Sequence, residues 1–347
     1  NLNPVSFDRD ILRQQFLKDA NAEHMHLDPM HQDASFRRYF RLSDERNRRL
    51  LMDAPPPQEN LGQWIDIASH LAAINLRPPK VFKADQANGF ALIEDFGDNT
   101  FTKLLNNDED PESLYGPAID LLVHLHNHQN AVAIDIPPYD LQTLMTEAHL
   151  LTDWFLPVLN DQALSSSLKN QYTNAWSAIL SQLPSPAVSL VLRDFHVDNL
   201  MLISGDTSNH QIGLLDFQDA RIGPIAYDIV SLLEDARRDI AEPFVSKMLE
   251  RYTDAMPLLD MQNFELWYRV LAAQRHCKVL GIFSRLAIRD HKTKYLAHLP
   301  RVLRLLRKNL QYPVLAPLKA WLNQVIGDRG IPTKIDLVKI RSTGEMS

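Results

Sequence analysis

Val191-Leu192-Arg193-Asp194-Phe195-His196-Val197-Asp198-Asn199 is the stretch that decides the fold. Asn199 stands five positions after Asp194, and the pair lies between two apolar runs, Val188 to Leu192 and Leu200 to Ile203. A third apolar run, Gln211 to Leu215, reads as a buried strand and ends in Asp216-Phe217-Gln218. An Asp or Asn alone is a common turn residue, because its side chain bonds nearby backbone. Three of them at strand ends, at this spacing, form a chemical set. Asp194 is placed to accept the proton of an attacking hydroxyl. Asn199 and Asp216 offer an amide and a carboxylate oxygen to a hard divalent cation, with little extra charge next to the nucleophile.

A base followed five residues later by an amide, then a strand ending in a carboxylate, is the spacing of a phosphoryl-transfer loop. Positioning and charge neutralisation dominate such transfers, so one base and two metal ligands are a nearly complete catalytic set.

Arg193-Asp194-Phe195-His196 with Asn199, Leu215-Asp216-Phe217, and Gly223-Pro224-Ile225-Ala226-Tyr227-Asp228 resemble the aminoglycoside phosphotransferase and choline kinase-like branch of the protein-kinase fold. His196, two residues after Asp194, marks that branch; in protein kinases the His precedes the Asp, where this chain has Leu192. Asp33 to Leu42, Met52 to Pro56, Ile93 to Asp98 and Asp216 to Ala220 are similar to the anomeric sugar kinases of bacterial cell-wall recycling. Those enzymes phosphorylate N-acetylmuramate and N-acetylglucosamine at the C1 hydroxyl. The resemblance spans roughly residues 10 to 310. It implies a two-lobed α+β fold, with a small antiparallel-sheet N-lobe at 1–97, a large mainly helical C-lobe at 98–326 and a tail at 327–347. It implies ATP and Mg2+ as cofactors, a small-molecule sugar acceptor, and a cytoplasmic monomer.

Composition bounds the alternatives. The chain has 347 residues, 45% of them hydrophobic and 23% charged, in the range of globular proteins. Its net charge of −7 argues against a nucleic-acid partner, which calls for a basic excess. One cysteine, Cys277, cannot form an internal disulfide and fits a reducing compartment. The first ten residues show no basic region followed by an apolar core, so no secretory signal is read there. No apolar run approaches the ~18 residues of a membrane span.

Residues 7–20 read as a helix, followed by strands at Asp33 to Leu42 and Arg49 to Met52. Ser35-Phe36-Arg37-Arg38-Tyr39 takes the place of a glycine-rich loop, and no glycine occurs before Gly62. Backbone amides there approach phosphate less closely. Ser35 and the guanidinium of Arg37 or Arg38 are the candidate donors, the arginines being alternatively solvated strand residues. The third strand, Leu50 to Ala54, lacks the lysine a kinase carries there, leaving Arg38, Lys80 or Lys83 as replacements. Asp53 either contacts a second metal or substrate or forms a turn before Pro55-Pro56-Pro57. Residues 59–76 form an amphipathic helix ended by Pro78-Pro79.

By the resemblance, the backbone around Glu94 and Phe96 meets the adenine edge. A helical stripe runs from Leu141 to Val158 with Glu147 and Trp154 beside it. These two bind sugar hydroxyls and a sugar face, or are a surface carboxylate and a core ring; His196 is a further substrate candidate. Asp228 braces the catalytic loop by the resemblance, or simply caps a helix. His124, His126 and His128 lack a carboxylate that would complete a zinc pattern and read as helix packing. Arg301, Arg304, Arg307 and Lys308 read as a solvated basic face.

Two rivals stand. A kinase of cationic acceptors (aminoglycosides, choline, amino alcohols) would use acidic residues such as Asp98, Asp108, Glu109, Asp110, Glu112 and Glu147. A non-catalytic ATP-binding fold is favoured by the missing lysine and opposed by Asp194, Asn199 and Asp216.

Overall fold

The computed structural model describes residues 4–30, 36–203 and 212–331. They fall into two compact units, one within Asn1–Leu121 and Val197–Ala220 and the other within Leu122–His196 and Arg221–Ser347. These bounds differ from the lobe boundary read at residue 97. The reason lies in pairing across the sequence. Thr100 bridges Met201, the Leu202 amide donates to the Asn99 carbonyl, and residues 99–121 thereby stay with the sheet unit. Most of the tail read at 327–347 lies outside the described residues.

In the first unit, helix α1 (Pro4–Asp19) precedes strands β1 (His26–Pro29), β2 (Arg38–Ser43) and β3 (Arg48–Asp53). Helix α2 (Leu61–Ala73) and strands β4 (Val81–Asp85) and β5 (Phe90–Glu94) follow. The strands form an antiparallel sheet in the order β1-β2-β3-β5-β4. Its register sets Arg38 opposite Asp53 and Phe40 opposite Leu51. Alternation turns Leu42, Leu51, Phe90 and Leu92 to one side, where Phe16 and Leu17 of α1 cover them. Full burial of each such side chain is worth ~1.5–3 kcal/mol. Helix α2 starts at Asn60, whose side chain accepts the Gln63 amide at 3.0 Å. It buries Leu61, Trp64, Ile67, Ala68 and Leu71 at helical spacing. Helices α3 (Phe101–Asn106) and α4 (Pro111–Asn127) come next, α4 passing into the second unit.

The second unit continues with α5 (Leu141–Ala148), a π-turn at Leu151–Phe155, α6 (Leu156–Asn160) and α7 (Ser166–Leu180). The single stripe read from Leu141 to Val158 is thus broken. Pro157 has no N–H to give the preceding turn, and a helical register slips where that bond is missing. Gly281 accommodates the break, because a Cβ there would stand 2.3 Å from the Leu150 backbone. Strand β6 (Val188–Val191) leads into the loop. Strands β7 (Leu200–Leu202) and β8 (Ile212–Leu214) pair in the first unit, while β9 (Arg221–Pro224) pairs with β6 in the second.

Helices α8 (Ala226–Leu233), α9 (Glu242–Asp254), α10 (Met261–Ile288), α11 (Leu299–Asn309) and α12 (Ala316–Ile326) complete the unit. The 28-residue α10 is its axis and is buried almost all round. Phe155, Tyr172, Trp176, Leu280, Leu303 and Trp321 belong to the core around it. Cys277 lies in this core, and burial pushes its thiol up to about 12, so it packs as an inert group.

Candidate active site

Strand β6 ends at Val191 and delivers Asp194 through a tight run of backbone bonds, in which the Asp194 amide donates to the Leu192 carbonyl and the His196 amide to the Asp194 carbonyl. Arg193 sits at φ 70°, a left-handed conformation that a non-glycine residue holds only where its surroundings fix it. Asp228, fully buried on α8, does the fixing. Its carboxylate accepts the Leu192 amide at 2.6 Å and the Arg193 amide at 2.8 Å. Burial pushes Asp228 up to about 7, against the pull of those two amides.

The Arg193 side chain bonds Glu147 of α5, and its guanidinium lies 4.9 Å from the Tyr139 ring. Lys278 of α10 reaches the other Glu147 oxygen at 3.1 Å, and the Tyr139 hydroxyl donates to the same oxygen. Arg275, one turn back on α10, donates to the Arg193 carbonyl at 3.2 Å and to the Tyr227 hydroxyl at 3.1 Å. Burial raises the Asp194 carboxyl, but Lys278, Arg275, His196 and Arg193 together outweigh it and hold Asp194 below its ordinary range. The Asp194 carboxylate is therefore ionised at neutral pH. Glu147 is lowered in the same way, its burial outweighed by Lys278 and Arg193.

Asn199 and Asp216 lie in the first unit, where β7 and β8 pair so that the Leu215 amide donates to the Asn199 carbonyl at 3.0 Å. This brings the Asn199 amide nitrogen within 3.4 Å of Asp216 Oδ2. Asp216 also adopts a left-handed φ, 57°. Its Oδ1 accepts from Arg37 Nη2 at 2.9 Å and from Gln218 Nε2 at 2.8 Å. Arg37 further donates to Gln218 Oε1 at 2.5 Å and lies 3.4 Å from Glu59. Asp198, beside Asn199, accepts from the Thr102 hydroxyl of α3.

Asn199 and Asp216 are hard oxygen donors side by side, which fits Mg2+. That ion is usually held by one or two carboxylates together with phosphates and water. Among the described residues there is no group of three or more His, Cys, Asp and Glu that would hold a metal by itself.

The other expectations are placed as follows. Ser35 lies outside the described residues. Arg38 pairs with Asp53 at 2.8 Å, and it is Arg37 that bonds Asp216. Asp53 is no turn residue; it is fully buried at the end of β3 and also clamped by Arg9 at 2.6 Å. Lys83 donates to the Asp19 carbonyl, and Lys80 is exposed. Glu94 ends β5 with its carboxylate held by Arg77 at 2.6 Å and its amide donating to the Lys80 carbonyl. The Phe96 ring stands against Gly213 of β8, where a Cβ would lie only 2.6 Å from it. Glu147 is not a surface carboxylate, since α10 supplies it with a cation. Trp154 lies half-buried in the π-turn. His126 is half-buried with its ring nitrogen 2.8 Å from the Tyr252 hydroxyl, and desolvation lowers it to about 3, which suits packing. The basic run on α11 is paired rather than simply solvated: Arg301 and Arg304 hold Asp239, and Lys308 holds Glu242.

Sequence reasoning missed Arg275, Lys278, Glu59 and Gln218. The signal for the first two was present, as Gln274-Arg275-His276-Cys277-Lys278 sits between the apolar runs Val270 to Ala273 and Val279 to Phe283 within one helix. Buried charges of that kind require partners.

The model of the phosphotransferase enzyme family matches residues 26–267. A Neisseria meningitidis serogroup B protein named N-acetylmuramate/N-acetylglucosamine kinase is 35% identical over 312 residues, covering 87% of this chain and 91% of that one. A Pseudomonas aeruginosa protein of the same name is 37% identical over 291 residues, covering 80% and 82%. The crystal structure of a choline kinase from Streptococcus pneumoniae superposes with a TM-score of 0.60 at 10% identity, covering 86% and 99%, and so shares the fold. Its two-lobed kinase-like architecture, its loop from Asp194 to Asn199 and these matches agree: the chain belongs to the phosphotransferase enzyme family.

Proposed function

We propose that this chain transfers the γ-phosphoryl group of ATP to the anomeric C1 hydroxyl of N-acetylmuramate and N-acetylglucosamine, giving the sugar 1-phosphate and ADP in peptidoglycan recycling. The observation that carries the acceptor class is the charge around Asp194. Lys278, Arg275 and Arg193 are all largely buried around it, with Glu147 as the carboxylate that spans Arg193 and Lys278. A cationic aminoglycoside or choline brought to this base would meet like charge in a partly desolvated setting. A neutral N-acetylated sugar would not, and the lactyl carboxylate of N-acetylmuramate would be attracted. The names of the relatives from N. meningitidis and P. aeruginosa support the same acceptors.

In this reading Asp194, held ionised, accepts the C1 hydroxyl proton as the sugar oxygen bonds to the γ-phosphorus and the bond to the β-phosphate oxygen breaks. An anomeric hydroxyl is more acidic than an ordinary sugar hydroxyl, so a carboxylate of depressed basicity suffices. Asp228 keeps the Leu192 and Arg193 amides fixed, so that Asp194 does not swing. Asn199 and Asp216 would hold magnesium, which when bound neutralises charge on the phosphates.

Magnesium-dependent ADP release with the two sugars, run beside choline and an aminoglycoside, tests this. Sugar-dependent release with a product whose phosphate is lost in mild acid is expected, because glycosyl phosphates are acid-labile and 6-phosphates are not. An acid-stable product would overturn the C1 assignment. Release with the amines alone would overturn the acceptor class.

A further inference from the structure

We propose that Arg37 supplies the cation that β3 lacks and acts as a latch on Asp216, holding the carboxylate until a nucleotide's phosphates draw the guanidinium away. This rests on the reading above, in which nucleotide and magnesium meet at Asn199 and Asp216.

Elimination narrows the cation first. Arg38 is committed to Asp53 with Arg9, Lys83 to the Asp19 carbonyl and Arg77 to Glu94, while Lys80 is exposed just ahead of β4. Arg37 alone among these candidates faces Asp216, at 2.9 Å. Its surroundings match the role. In kinases the strand lysine pairs both the phosphates and a glutamate of the following helix. Here Glu59, just ahead of α2, lies 3.4 Å from Arg37 Nε, and the guanidinium is 7% exposed. A planar fork that already bonds two side-chain oxygens presents the paired donors that phosphate oxygens accept.

The latch follows from where the fork points. Both donors on Asp216 Oδ1, Arg37 Nη2 and Gln218 Nε2, come from side chains that can move. A pocket of about 170 Å³ lined by Arg37, Gln58, Glu59, Gln63, Trp64 and Gln218 gives them room. A divalent cation arriving alone at Asp216 must displace a guanidinium 2.9 Å away or share the carboxylate with it, and the two cations repel. Phosphate oxygens remove the conflict, since they accept the guanidinium and ligate the metal together. Metal and nucleotide therefore bind with positive coupling, and the coupling passes through Arg37.

The test uses the full-length protein, with Mn2+ as the probe metal followed by its paramagnetic signal and ADP binding followed by calorimetry. In the wild type, ADP tightens Mn2+ binding about tenfold or more. Arg37→Met is expected to bind Mn2+ alone about tenfold more tightly, because Asp216 is released. It binds ADP alone about tenfold more weakly, and the coupling falls towards unity. Arg37→Lys, which keeps the charge without the fork, lies between the two. A residue that only stabilised the fold would not strengthen metal binding when removed. Arg37→Met with a wild-type melting midpoint and unchanged or weaker Mn2+ binding would overturn the latch. If that variant does not fold, Arg37→Lys decides: coupling reduced about threefold or more supports the latch, and wild-type coupling overturns it. Wild-type protein that binds neither probe would overturn the nucleotide and metal reading together with the latch.

Discussion

Asp194 and Asp216 are assigned to one reaction, and their surroundings differ in kind. Asp194 sits among Lys278, Arg275 and Arg193, with Glu147 bridging two of them and Asp228 clamping the backbone. Every one of these partners is fixed on a helix or strand end of the second unit. Asp216 belongs to the first unit, keeps 41% of its side chain exposed, and is held by the side chains of Arg37 and Gln218. In the proposed reaction the base must be ionised and correctly placed before each proton transfer, which the counter-charges around Asp194 favour. In the same proposal a metal ligand must exchange its cation, and the exposed Asp216 carboxylate, held only by side chains, suits that.

The widest break in that contrast is Glu147→Gln. Removing the charge leaves Arg193 and Lys278 partly buried with less compensation, so stability should fall by up to about 3 kcal/mol in chemical denaturation. Glu147 is held below its ordinary value of 4.5, so its contribution is present above that pH and lost as pH falls further. The deficit of the variant should thus be greatest at neutral pH and shrink below about 4.5.

On the other side, Gly213→Ala would put a Cβ 2.6 Å from the Phe96 ring and push on β8, which leads to Asp216. We expect about 1–3 kcal/mol of destabilisation, with weakened Mn2+ binding as the second readout. If stability falls and metal binding does not, β8 is not what positions Asp216.

Asp228 sharpens the comparison through pH, with the opposite sign to Glu147. Its folded value is raised from 3.8 to about 7, so the folded state holds a proton that the unfolded chain has released. That contribution is full below pH 3.8 and lost as pH rises to about 7. Relative to wild type, the melting midpoint of Asp228→Asn should gain roughly 2–4 °C between pH 4 and pH 8. A constant offset across that range would remove Asp228 as the titrating brace. The smallest effect is expected from Arg304→Ala, where an exposed pair with Asp239 breaks far along the chain from either carboxylate. Denaturation should move by less than about 0.5 kcal/mol.

What could be read from sequence was local. Asp194, Asn199 and Asp216 announce themselves because the loop and its flanking strands are contiguous, and the apolar runs have the period of buried strands. Glu147 was singled out without its partners, and Arg275 and Lys278 were passed over, because their meaning comes from a partner 46 to 131 residues away: Glu147 lies 46 residues from Arg193, and Lys278 lies 131 from Glu147. Arg37 was one of two adjacent arginines, and only the register that gives Arg38 to Asp53 separates their roles. The break at Leu151–Phe155 was hidden for a similar reason, since the stripe of apolar residues runs through it and Gly281 is 126 residues beyond the last residue of the π-turn.

The most direct test of the account is sugar-dependent ADP release by Asp194→Asn beside wild type, with ADP affinity measured on both. The account predicts unchanged nucleotide binding and turnover with N-acetylmuramate and N-acetylglucosamine lowered about 10²–10⁴-fold. A variant that turns over either sugar at the wild-type rate would contradict it.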